Sequence, residues 1–255
     1  MKRVYLTLAL LGMVAVAALV HPVWAAPAGS DVEGQFNLGV SLLQKGKVDE
    51  AIATLQKVLK MKPDHASARI SLGAAYQQKG MLDQAVKEYW MAIFSQPNNP
   101  VARYNLAKVL ILKNKPDSAI TVFREAIRLN PNYHDANVEM GKLFFARGAV
   151  DSAIAAYRRA LKAKIDYADA HVNLAEALTK QGKLDEAIFE YKEAIKFKPD
   201  HPEAHFKLAY ALIEQKRDQE AIDEFKAFLK YSTNVAGYDA WRNAASQNIQ
   251  ALGGR

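Results

Sequence analysis

Apolar residues recur along this chain at helical spacing, in pairs of short stretches, and the pair repeats every 34 residues. In the copy spanning 66–99, Leu72, Gly73 and Tyr76 fall on one helical face in the first half, and Ala85, Val86, Tyr89 and Ile93 fall on one face in the second. Each half therefore predicts an amphipathic helix. Sliding the pattern by its period lays six copies end to end, at 32–65, 66–99, 100–133, 134–167, 168–201 and 202–235, with no insertion between them. Such self-similarity predicts an all-α chain of stacked helix-turn-helix units, in which each unit touches only its neighbours.

Two positions of the unit hold small side chains throughout. Position 8 is Gly39, Gly73, Ala107, Gly141, Ala175 and Ala209, and position 20 is Ala51, Ala85, Ala119, Ala153, Ala187 and Ala221. A helical glycine costs about 0.5–1 kcal/mol relative to alanine, so its recurrence asks for a compensating close approach of two helices. Gly46, Gly80, Gly148 and Gly182 at position 15 mark the turn within the unit. The carboxylates at position 18, Asp49, Asp83, Asp117, Asp151 and Asp185, are expected to cap the second helix. Pro63, Pro97, Pro131 and Pro199 at position 32 end it.

These residues resemble the tetratricopeptide repeat family over 32–235. The likeness extends to an aromatic or large apolar residue at position 24 (Leu55, Tyr89, Phe123, Tyr157, Tyr191, Phe225) and to position 27 (Val58, Ala92, Ala126, Ala160, Ala194, Phe228). It implies a right-handed superhelical solenoid of six repeats. The chain departs from the family at position 4, which is never Trp. It departs again at position 32, where Ile165 suggests a longer final turn in the fourth unit and Thr233 a sixth unit that meets something other than a repeat. The remaining 236–255 fit a C-terminal capping helix and tail, with Tyr238, Trp241, Ala245, Ile249 and Leu252 at helical spacing and Phe228 placed to receive them.

In such a solenoid the first helices line a concave groove. The corresponding positions carry Phe36, Asn37, Val40 and Leu43 in the first unit, Ile70, Ser71, Ala74 and Gln77 in the second, and Tyr104, Asn105, Lys108 and Ile111 in the third. The fourth contributes Val138, Glu139, Lys142 and Phe145, the fifth Val172, Asn173 and Glu176, and the sixth Phe206, Lys207, Tyr210 and Ile213. A strip of large apolar side chains on a solvent-facing wall marks a partner site for a peptide or helix. The lysine-and-asparagine clamp with which some relatives grip a C-terminal carboxylate is absent, because position 5 is apolar in every unit. Asn37, Asn105 and Asn173 match the backbone-holding amide of other relatives in alternate units only.

The start of the chain is of another kind. Lys2 and Arg3 precede an apolar run from Val4 to Val20, followed by small residues at Ala25, Ala26 and Ala28. This is the layout of a secretory signal peptide over 1–25, cut after Ala25 or Ala28, with 26–31 a linker. An uncleaved anchor is the alternative; the protein would then be a membrane-tethered assembly factor working through its convex face or by self-association. Export predicts an extracytoplasmic, most simply periplasmic, location. The chain has no cysteine, hence neither disulfide nor lipidated thiol. Net charge is +7, and with Lys2 and Arg3 gone the 34 basic residues become 32 against 27 acidic, a mild +5 whose interleaving gives no contiguous stripe for nucleic acid. No catalytic constellation is evident. His171 and His205 read as half-buried packing residues, and His201 and His205 do not form a zinc helix because Pro202 starts the helix between them. The sequence therefore predicts a non-enzymatic scaffold without cofactor or metal.

Overall fold

A computed structural model describes residues 29–253. Among the described residues the chain forms α1 (Gly29–Gln44), α2 (Val48–Met61), α3 (Ala66–Gln78), α4 (Leu82–Ser95), α5 (Pro100–Leu112), α6 (Pro116–Leu129), α7 (His134–Ala146), α8 (Val150–Ala163), α9 (Ala168–Lys180), α10 (Leu184–Phe197), α11 (Pro202–Glu214), α12 (Asp218–Ser232) and α13 (Asp239–Ala251). Each odd helix from α1 to α11 packs on the even helix after it, and each even helix packs on the odd helix that follows, which stacks the pairs into a solenoid. The proposed signal peptide and the start of the linker lie outside the described residues. Gly29, Ser30 and Asp31, expected in the linker, form the beginning of α1 instead.

The small-residue positions do what the periodicity implies. All six alanines at position 20 are fully buried. A Cβ built on Gly39 would come within 2.8 Å of the Leu55 side chain, on Gly73 within 2.7 Å of the Tyr89 ring, and on Gly141 within 2.5 Å of the Tyr157 ring. Position 24 of each unit thus drives its bulk into the space left at position 8, and the six large residues there form the centre of the stack. The turn at position 15 is left-handed throughout. Glycine supplies it at φ +73° to +79° in four units, whereas Asn114 and Lys216 adopt φ 55° and 59° in the third and sixth.

Two sequence expectations need correction. The position-18 carboxylates do not cap: α2, α4, α6, α8 and α10 begin without a side-chain cap, and the aspartate sits inside the first turn. From there each reaches the residue at position 14 of the next repeat, giving the pairs Asp49–Lys79, Asp83–Lys113, Asp117–Arg147, Asp151–Gln181 and Asp185–Gln215. Its charge still favours the helix N-terminus, but its partner is the neighbouring unit. Nor is the final turn of the fourth unit longer. α8 has the 14 residues of its counterparts, with Ile165 exposed beyond its end, and it is α12 that extends to 15 where Thr233 replaces proline.

Candidate protein-binding groove

The first helices are held in line by a clip at position 4. Arg69 donates to the Pro63 carbonyl at 2.6 Å and pairs with Glu88 at 2.9 Å, so it satisfies the last turn of the preceding repeat while tying to its own second helix. Arg103 repeats the arrangement with the Pro97 carbonyl and Glu125. In the fifth repeat His171 takes over: Nδ1 meets Glu190 at 2.6 Å and Nε2 meets the Ile165 carbonyl at 2.8 Å. His205 does the same with Glu224 and the Pro199 carbonyl. Both ring nitrogens face acceptors, so only the doubly protonated imidazolium satisfies both contacts. Burial opposes the charge, but the carboxylate and carbonyl outweigh it and hold both histidines above their ordinary pKa. They are buried ion-pair partners rather than half-buried packing residues. His201 is committed separately, to Asp169 at 2.9 Å and to the start of α11, which Pro202 begins. Among the described residues, no group of three or more His, Asp or Glu is placed to hold a metal.

On this frame the predicted groove residues divide. Val138 and Val172 are only 1% and 3% exposed and belong to the core, so they offer a partner almost no surface. Position 5 lies at the seam with the following repeat, where Phe36 meets the His65 ring at 5.0 Å and Tyr104 meets Tyr133 at 5.0 Å. A short valine is swallowed by that seam, whereas an aromatic ring reaches past it. Val40, Leu43, Ile70, Asn105 and Ile111 are half-buried along the first three units and Asn37 is exposed. Lys108 sits over the Tyr104 ring, 5.5 Å from its centre, and Lys142 pairs with Glu139 at 3.0 Å. Burial pushes the Tyr104 hydroxyl well above the ordinary range, and Tyr133 to about 12. Lys142, Val172 and Asn173 border a polar recess with Asp169, His201 and Glu203.

Phe145, Glu176, Phe206 and Tyr210 are brought together in a cavity of about 570 Å³. Its remaining lining is Thr179, Lys180, Tyr191, Lys207, Ala211, Glu214 and Trp241. Lys180 lies over the Phe145 ring at 5.7 Å. Lys207 bridges Glu176 at 2.7 Å and Glu203 at 3.0 Å; burial disfavours its charge, but these two carboxylates prevail and raise its pKa. The far wall comes from α13. Trp241 stacks on Phe206 at 4.4 Å, Asn248 donates to the Tyr210 hydroxyl at 3.1 Å, and Phe228 is fully buried against Tyr238 and Trp241. The C-terminal helix therefore closes the end of the groove and leaves the floor over α7, α9 and α11 open.

Comparison with known proteins agrees with this architecture. A family model described as TPR repeat matches residues 39–80, 141–182 and 175–216, and two described as tetratricopeptide repeat match 100–133 and 203–232. No protein of curated function matches the chain in sequence. The crystal structure of MamA is 27% identical, with a TM-score of 0.57 over 63% of this chain and 94% of that one. PilF of Pseudomonas aeruginosa is 17% identical, with a TM-score of 0.72 over 84% and 97% of the two chains. YrrB, described as a TPR protein with an unusual peptide-binding site, is 24% identical, with a TM-score of 0.54 over 71% and 97%.

Proposed function

Because the chain belongs to the tetratricopeptide repeat family, we propose that it is a non-enzymatic scaffold of the bacterial envelope that holds a peptide or helix of a partner protein in its concave groove. The observation that carries this reading is the open cavity over α7, α9 and α11, with an aromatic floor and charges of both signs at its rim. Its walls suit an amphipathic helix or extended segment that places one large apolar anchor against Phe145 and Tyr210, flanked by polar residues of either charge. The peptide-binding site named for YrrB, a protein alike in fold, accords with it. Affinity is expected near micromolar, about 8 kcal/mol.

Panning a random peptide library on the purified protein tests the groove. Selected peptides lose at least tenfold in affinity to the Phe145→Ala/Tyr210→Ala variant while its circular dichroism is unchanged; equal binding to both proteins would overturn the groove assignment. The envelope location rests on the 1–25 segment, read as a cleaved signal peptide. Intact mass of the protein recovered from cells decides that point: a chain beginning at Ala26 or at Gly29 supports export and cleavage, and one beginning at Met1 contradicts it.

A further inference from the structure

The outer face of the array carries a break that the groove reading does not use. Positions 25 and 29 lie four residues apart on the solvent side of each second helix, and in five repeats they are polar or basic: Gln56 and Lys60, Arg124 and Arg128, Arg158 and Lys162, Lys192 and Lys196, Lys226 and Lys230. In the second repeat the same two positions are Trp90 and Phe94, 52% and 83% exposed, with Met91 exposed beside them. The buried face of α4 is formed by Ala85, Tyr89, Ala92 and Ile93, so these residues are not displaced core. Lys60 on one side and Arg124 and Arg128 on the other are exposed and, among the described residues, have no carboxylate within ion-pairing distance. Glu88 on α4 and Glu125 on α6 are already paired with Arg69 and Arg103.

We propose that the outer face of the second repeat, centred on Trp90 and Phe94, seats on an anionic phospholipid bilayer. The chemistry matches at both levels. Trp, Met and Phe on a protruding helix face bury in the headgroup and upper acyl region of a bilayer, which deforms around them. Unpaired lysine and arginine on either side meet anionic headgroups, each adding to the attraction near the surface. A folded protein partner would have to supply a concave apolar socket for a convex ridge, whereas lipid needs none. The surface lies opposite the groove, so lipid contact leaves the first helices free for a partner.

The test is binding of the full-length protein to phosphatidylcholine vesicles with and without 30% phosphatidylglycerol, measured by flotation and by quenching of tryptophan with brominated lipid. Quenching is compared with that of Trp90→Phe, which isolates the contribution of Trp90 and makes the result independent of any anchoring by the N-terminal segment. The expected result is quenching of Trp90 on the anionic vesicles only. Affinity should fall about tenfold or more in Trp90→Gln/Phe94→Gln and again in Arg124→Gln/Arg128→Gln, and binding should weaken at high salt. Equal quenching attributable to Trp90 on neutral vesicles, no quenching attributable to Trp90, or a Trp90 response to an acidic polypeptide but not to vesicles would each overturn the proposal.

Discussion

In the second and third repeats the residue at position 4 is an arginine, Arg69 or Arg103, and in the fifth and sixth it is a histidine, His171 or His205. All four reach back to the carbonyl at position 32 of the preceding repeat and across to a carboxylate on their own second helix. One geometric task is met by a permanently charged group at one end of the array and by a titratable group at the other. The ends differ in closure too: Trp241 of α13 and Tyr238 just before it seal the sixth repeat, and the cavity forms just inside that seal. Repeats built on one plan thus differ in how firmly, and under what conditions, they are joined.

The comparison breaks most visibly at the seal. Phe228→Ala removes a fully buried ring and should cost about 3–5 kcal/mol. Hydrogen exchange should then rise in α11, α12 and α13 and stay near wild type in α3 to α6; a uniform rise along the array would contradict local joining. Acidity comes next. The raised pKa values of His171 and His205 mean that their clips are fully formed below about pH 6.5 and are lost as pH climbs through the raised values. As pH rises from about 6.5 through those raised values the fifth and sixth repeats should therefore loosen by about 1–2 kcal/mol, the gap between a charged and a neutral hydrogen bond, while the arginine-clipped repeats hold. His171→Arg with His205→Arg should abolish the difference, and a persistent one would show that the histidines are not its source.

A smaller effect concerns the turns. Lys216 is held at φ 59°, in the slot that glycine fills in four repeats. Lys216→Gly should relieve about 1 kcal/mol of left-handed strain, read as a higher midpoint for unfolding of the C-terminal repeats; an unchanged or lower midpoint would mean that the turn is not strained. Least of all, Asp49→Ala, which deletes one exposed inter-repeat pair, should move the melting temperature by no more than ~1 °C, and a larger fall would give that ladder a structural weight its exposure argues against.

Most of the architecture is legible in the sequence because it is periodic. Positions 8, 20 and 24 recur every 34 residues, and their packing follows from size alone. What escaped is aperiodic or spans repeats. The aspartates at position 18 look like caps when one unit is read alone; their partners stand 30 residues downstream, and only stacking brings them together. Val138 and Val172 share a groove position with Phe206 but are too short to emerge from the seam. Trp241 becomes part of the cavity only because α13 folds back across α11 and α12. Lys180 and Glu214 share position 13, and that shared register was the available signal for placing them in the groove. The exposed pair Trp90 and Phe94 stands out only when the six outer faces are aligned.

The groove itself is tested most directly by a photoreactive amino acid placed at Thr179, inside the cavity, and separately at Asp223, on the exposed side of α12. On illumination in the living cell, the Thr179 protein should form a discrete adduct with one polypeptide, lost on Phe145→Ala/Tyr210→Ala, and the Asp223 protein should form none. Adducts of equal yield at both positions, or an adduct at Thr179 that survives those substitutions, would contradict partner binding in the groove.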